Sequence, residues 1–341
     1  MSKKNLYEKY FARGADFLGV RYPIICGAMT WVSDPKLVAT ISNAGGFASL
    51  AAGNTPVDIL RNQIAETRNL TAKPFGVNLI TIAPMYRDHI ELVEETRPDF
   101  VIFAGSFPRG REVELVKKTG AKVMCFASTK SIADRMIRYG ADALILEGME
   151  AGGHVGHVTL TILLQQVLFE VSAVPVFVAG GIGSGKMCAH LLLMGAAGIQ
   201  MGTRFAVAEE ANTHSKFKER FINANARDAI ATPQIDSRLP VVAVRALRNK
   251  GHDDFSRLQI ELLKKMDAGE INRIDAQLKV EEFWIGALRR AVVDGEVDYG
   301  SLMAGQSVGL VNKIQTIAEI IQELISDTET ELQKVYKNLI D

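Results

Sequence analysis

The sequence predicts an α/β fold: a (β/α)8 barrel of the TIM type with a smaller helical insertion after the eighth strand. Three observations carry that expectation. Eight short apolar runs recur at intervals of about twenty to thirty residues, each near-continuous rather than alternating, as strands buried on both faces are. Amphipathic helical patterns separate them. Glycine turns follow the seventh and eighth runs, where barrels commonly build a phosphate site.

The runs are Tyr22–Cys26, Gly46–Leu50, Phe75–Leu79, Asp99–Phe103, Lys122–Phe126, Asp142–Leu146, Pro175–Val178 and Gly198–Met201. Between them, Pro35–Asn43 carries Leu37, Val38 and Ile41 on one helical face, Val57–Arg68 carries Ile59, Leu60 and Ile64, and Ser131–Tyr139 carries Ile132, Met136 and Ile137. Gly45, Gly120, Gly140 and Gly195 fall where those helices should stop. The segments Gly120-Ala121-Lys122-Val123 and Gly140-Ala141-Asp142-Ala143 read as copies of one helix-to-strand junction. An open doubly wound sheet would show G-x-G-x-x-G after its first strand; here that strand is followed by Gly27-Ala28-Met29-Thr30-Trp31.

After Phe205 the chain becomes richer in charge and its pattern mostly helical, with Leu258–Met266 and Val280–Val293 the clearest stretches. The expected division is a barrel from residues 15–205 and 300–341, with a helical substrate or lid lobe at 206–299. Ile314, Ile317, Ile321, Leu324 and Ile325 form the stripe of a last helix closing the outer ring.

Composition narrows the function classes. The 341 residues are 48% hydrophobic and 23% charged, with 39 basic and 39 acidic side chains and no block of like charge. That argues against a nucleic-acid footprint and against a polybasic membrane patch. Cys26, Cys125 and Cys188 are far apart, lie in or beside apolar segments and form no C-x-x-C, so they read as buried free thiols in a reducing compartment. Met1–Tyr10 has no apolar core of a signal peptide, and no apolar run approaches the ~18 residues of a membrane span, so a cytoplasmic protein is expected.

The chemistry should sit at the carboxyl ends of the strands. After the first comes Gly27-Ala28-Met29, small enough for a flat ring to lie against the backbone. The third ends in Gly76-Val77-Asn78, whose amide both donates and accepts. The sixth ends in Glu147-Gly148-Met149-Glu150-Ala151-Gly152-Gly153-His154-Val155-Gly156, a glycine-rich loop holding a candidate catalytic histidine. His157 lacks the companions of a metal site, and no metal is expected. The seventh and eighth supply Ala179-Gly180-Gly181 and Gly202-Thr203. Arg204 is either the nearest cation to that turn or a structural ion-pair residue. Gly300–Ser307 is a late glycine-bearing segment expected to fold back over the mouth.

These blocks together resemble the 2-nitropropane dioxygenase, or nitronate monooxygenase, family of flavin barrels, which broadly includes the flavin-type enoyl-acyl-carrier-protein reductases. The resemblance runs from about Tyr22 to Gln306 and rests on Pro23–Met29, Ala44-Gly45-Gly46, Lys73–Asn78, Glu150–Gly156, Ala179–Ile182, Gly202–Phe205 and Ser301–Gln306. It implies FMN, held at its phosphate by Gly181, Gly202 and Thr203 and at its ring by Ala28, Met29 and Asn78. It also implies that His154 faces the flavin's reactive side. Glu147, Gly152, Gly153, Ala179, Gly180, Met303 and Gln306 complete the expected cofactor-binding set. Two positions depart from the family pattern: Cys26 stands where Gln is common, and Phe126 where some members place a lysine near the flavin.

The first functional reading is oxidation of a nitroalkane or its nitronate by O₂, with His154 as base. The alternative is an NAD(P)H-dependent enoyl-thioester reductase, or a related quinone reductase, with NAD(P)H as co-substrate. A non-redox phosphate-binding barrel is the reading from another class. The expected partner is a small-molecule substrate, and an exposed apolar helix within 206–300 offers a homodimer surface.

Overall fold

In the computed structural model, residues 6–53, 55–239, 241 and 243–340 are described; Met1–Asn5, the first half of the segment read for a leader, lie outside them. The strands are β1 (Ile24–Cys26), β2 (Phe47–Ala51), β3 (Gly76–Ile80), β4 (Phe100–Ala104), β5 (Lys122–Phe126), β6 (Ala143–Glu147), β7 (Gly153–His154), β8 (Val176–Ala179), β9 (Gly198–Met201), β10 (Ala229–Ala231) and β11 (Val244–Leu247). The helices are α1 (Leu6–Leu18), α2 (Pro35–Asn43), α3 (Val57–Leu70), α4 (Tyr86–Thr96), α5 (Gly110–Lys118), α6 (Lys130–Tyr139), α7 (Leu160–Leu163), α8 (Gly185–Leu193), α9 (Thr203–Ala206), α10 (Ser215–Ile222), α11 (Lys250–Asp267), α12 (Arg273–Val292) and α13 (Ile317–Ile340).

Eight strands close a parallel barrel in the order β1-β2-β3-β4-β5-β6-β8-β9, and the last pairs back onto the first through Ile25 opposite Gln200. Each apolar run of the sequence contributes one of them. The four glycines expected to stop helices, Gly45, Gly120, Gly140 and Gly195, all have φ between +91° and +102°, the left-handed turn that ends a helix and leads into the next strand.

Inside the barrel, Ile25, Phe47, Phe100, Ile102, Met124, Ala143, Ile145, Phe177 and Ala179 interdigitate as one buried cluster. Its lower end is plugged by α1 and the turn after it. Leu18 is fully buried there, and the Phe17 ring packs edge-on against Phe100 at 5.6 Å. This helix was not expected from the sequence. Its signal is the spacing of Leu6, Tyr7, Phe11, Gly14 and Leu18, with Tyr7, Phe11, Gly14 and Leu18 buried.

Residues 206–299 are not wholly helical. They hold α10, α11 and α12 as the pattern suggested, but also β10 and β11. These two pair antiparallel, and β11 pairs in turn with β7, so the small sheet β10-β11-β7 reaches from the insertion to the loop after β6. Leu239, Val244, Phe255, Leu262, Leu263, Ala276 and Val280 form a separate apolar cluster there, and Met303 packs against both it and the barrel's outer core. The final helix begins at Ile317; Ile314 lies before it and is exposed. No described helix is long and apolar enough to cross a membrane.

Candidate active site

Alternation along each strand decides which side chains look into the barrel mouth. On β6, Ala143 and Ile145 belong to the inner cluster, so Glu147, next in the alternation, faces inward at the strand's carboxyl end. On β3 a Cβ on Gly76 would meet Ile102 Cδ1 at 2.6 Å inside the barrel, so Asn78 faces inward as well, only 7% exposed. Gln200 on β9 joins them, its amide lying 3.0 Å from where a Cβ on Gly27 would be. Phe126 packs against the same inner cluster. Sequence reasoning missed Gln200, because a strand buried on both faces reads as one apolar run and the face that looks into the mouth is set only when the barrel closes.

Among the described residues, the side chains of Asn78, Glu147 and Gln200 have no hydrogen-bond partner. Burial in the mouth pushes the Glu147 carboxyl up to about 8, so near neutral pH it is largely a neutral acid with an O–H to donate. The mouth therefore presents two amides, each donor and acceptor, and a protonated carboxyl.

The other half of the site is backbone. Gly180 and Gly181 have φ of +90° and +72°, and a Cβ on Gly180 would lie 2.7 Å from the carbonyl oxygen of Gly148. Glycine is required there by both conformation and close approach. No backbone hydrogen bond among the described residues engages the N–H groups of Gly181 and Gly202, and Thr203 opens α9. Met29 packs over Gly202, its sulfur 3.4 Å from the position of a Cβ on that glycine. Ala28 lies in the same half-buried turn after β1.

The late segment folds back over the mouth. Gly305 N–H donates to Thr203 Oγ1 at 3.0 Å, and Gln306 N–H donates to the Glu150 carbonyl at 2.9 Å. A Cβ on Gly152 would fall 2.5 Å from the backbone of Ala304 and Gly305, so the two loops touch. Met303 bridges to Ala246 of β11, and its sulfur lies beside Gly153. His154 forms the exposed end of β7, in register with Val244. Thus Gly152, Gly153, Met303 and Gln306 come together over β8 and β9, while Met29, Asn78, Glu147 and Ala179 line the barrel end.

The remaining candidates resolve into structure. Arg204 is a structural tie: its guanidinium donates to Gly183 O, at the end of the glycine segment after β8, and to Gln315 Oε1 and Glu323 Oε1. Cys26 is buried, and burial raises its thiol far above the ordinary value, so it stays protonated.

The family profile described as nitronate monooxygenase matches this chain over residues 12–89 and 80–327. The chain belongs to the nitronate monooxygenase family. Within reach of that family, the chain is 27% identical to a nitronate monooxygenase of Paraburkholderia phytofirmans over 94% of its own length and 95% of the relative's. It is 30% identical to a 5-hydroxy-7a-methyl-1-oxo-octahydro-1H-indene-4-carboxyl-CoA dehydrogenase of Mycobacterium tuberculosis, covering 93% of this chain and 96% of that one. Among solved structures, FabK from Thermotoga maritima superposes with a TM-score of 0.85 at 35% identity, covering 96% of this chain and 98% of that one. The chain is thus an oxidoreductase of the nitronate monooxygenase family on a TIM barrel.

Proposed function

We propose that this chain is an FMN-dependent oxidoreductase with His154 as its acid–base residue and an enoyl thioester as its substrate. One observation carries the cofactor assignment: unpartnered Asn78, Glu147 and Gln200 converge at the barrel mouth, with the glycine turns of β8 and β9 beside them. The polar edge of an isoalloxazine needs both donors and acceptors, and a phosphate needs bare N–H groups. Gly181, Gly202 and Thr203 would hold the phosphate. Ala28, Met29 and Ala179 give the ring small and soft neighbours. When bound, FMN supplies the hydride or electron transfer. Phe126 in place of a cation leaves the hydrogen bonds of Asn78, Gln200 and neutral Glu147 to tune it.

The thioester reading is favoured by the likeness to FabK, an enoyl reductase, and to the CoA-ester dehydrogenase, which exceeds that to the nitronate monooxygenases. His154 would then deliver or withdraw a proton at the carbon α to the thioester carbonyl. The segment 206–299, joined to the His154 loop through β11, is the side from which the acyl chain would be covered. The family profile supports a second reading, in which His154 deprotonates a nitroalkane and the electrons pass to O₂. NAD(P)H is the expected reductant in the first reading only.

The test is anaerobic stopped-flow. The purified protein should be yellow, bleach rapidly with NADPH or NADH, and recolour with crotonyl-CoA. Bleaching by propyl-2-nitronate but not by either nicotinamide would establish the second reading instead. A colourless protein that does not take up added FMN would end both.

A further inference from the structure

The most deeply buried arginine lies outside the set that sequence and family point to. Arg245 sits in the middle of β11, only 5% exposed, opposite Gly153 of β7 on one side and Ala231 of β10 on the other. Its Nη1 donates to the Ala229 carbonyl at 2.7 Å, and its Nε to the Met149 carbonyl at 3.1 Å. A single side chain therefore ties the insertion's outer strand to the start of the loop that carries His154.

Met149 is the base of that loop. Its N–H donates to the Val158 carbonyl at 2.9 Å, closing the loop on itself, while its carbonyl is the one Arg245 holds. Farther along, Val155 N–H donates to Ala243 O at 2.9 Å, fixing the residue after His154 to the residue that leads into β11. Glu150 is held too, its carboxylate accepting from Leu160 N–H at 3.1 Å, and it adds an attractive charge near the guanidinium. The loop has four glycines, at 148, 152, 153 and 156, so its own backbone does little to restrict it. External ties must set where the imidazole stands.

We propose that Arg245 is a positioning residue for His154: its guanidinium fixes the peptide after Met149 against the insertion's sheet and so sets the imidazole over the barrel mouth. This rests on the assignment of His154 as the acid–base residue. Arg is suited to the task because its planar fork reaches two carbonyls at once, whereas a lysine ammonium reaches one at such a spacing.

The experiment is a double-mutant cycle on the FMN-loaded full chain, with crotonyl-CoA and 2-nitropropane as probes. Arg245→Met is expected to keep its FMN content and lose about 10–100-fold in kcat, with KM changed less. Arg245→Lys should recover part of that loss. Adding Arg245→Met to His154→Ala should cost nothing beyond His154→Ala alone, because residues that act as one unit are not additive. Losses that multiply, or wild-type kcat in both Arg245 variants, would overturn the proposal. A His154→Ala protein with full turnover would instead refute the acid–base assignment itself.

A readout independent of turnover is amide exchange. The peptide spanning 149–158 should exchange at least 10-fold faster in Arg245→Met, and α13 should be unchanged; equal protection at 149–158 would count against the role whatever the rates. If the Met variant does not accumulate as folded protein, the cycle and the exchange comparison are carried by Arg245→Lys.

Discussion

Glu147 shows how a position changes the chemistry of a residue. A carboxyl at a strand end in water would ionise near 4.5, but the mouth of this barrel raises it to about 8. The folded protein therefore holds a proton that the unfolded chain releases, and stability should fall as pH rises from about 4.5 to about 8. Glu147→Gln removes that dependence. In urea unfolding of FMN-free protein at pH 5, 6.5 and 8, the variant should gain on the wild type by on the order of 2 kcal/mol across the range. Parallel curves would mean that Glu147 ionises freely. At the same scale, Gly152, Gly153 and His154 stand out as candidates in the sequence because a glycine cluster around a histidine is unusual in any loop. Gln200 and Arg245 were not: a polar residue in a strand looks alike whether it faces the mouth or solvent until the barrel's alternation and the sheet's register are known.

At the scale of elements, the same physics explains which parts could be read. Barrel strands are buried on both faces, so they are written as continuous apolar runs, and the glycines at 120, 140 and 195 mark the helix-to-strand junctions into β5, β6 and β9. The strands β7, β10 and β11 are two to four residues long, and β7 and β11 pair across about ninety positions of sequence. No local pattern announces such a sheet. Helix crossings are equally hidden. Where α8 begins on α13, a Cβ on Gly185 would stand 2.3 Å from the Leu324 carbonyl oxygen and 2.9 Å from Thr328 N, while Thr328 Oγ1 donates to Gly185 O at 3.0 Å. Gly185→Ala should therefore lower stability by about 1–3 kcal/mol through forced separation of the two helices. Thermal denaturation reads this directly, and an unchanged midpoint would show that the crossing relaxes freely.

At the scale of the molecule, the last helix is tied to the end of the barrel through one buried cation. Arg204 at the start of α9 donates to Gln315 and Glu323. Burial acts to raise the Glu323 carboxyl, but Gln315, Arg204 and Lys313 outweigh it and hold it down at about 2. A depressed folded value means the stabilisation is present above about 4.5 and is lost as pH falls toward about 2. Arg204→Ala should cost about 2 kcal/mol at pH 7, discounted for the half-exposed carboxylate, and the gap to wild type should narrow below pH 4. A constant gap in acid unfolding would assign the loss to packing alone.

Whole-molecule architecture was legible because closing a parallel sheet of eight strands requires a repeated apolar signature, and repetition survives in one dimension. The candidate blocks at Ala28, Asn78, His154, Gly181, Gly202 and Gln306 also stand out in one dimension, because unusual backbone demands leave glycines and strand-end polar residues in the chain. What only the tertiary structure decided is how these blocks face one another. It placed Arg204 between the glycine segment after β8 and α13, aimed Glu147 and Gln200 into the mouth, laid residues 303–306 on the His154 loop and joined that loop to the insertion through Arg245. Orientation and register arise from contacts between segments far apart in sequence, and those contacts exist only once the chain has closed.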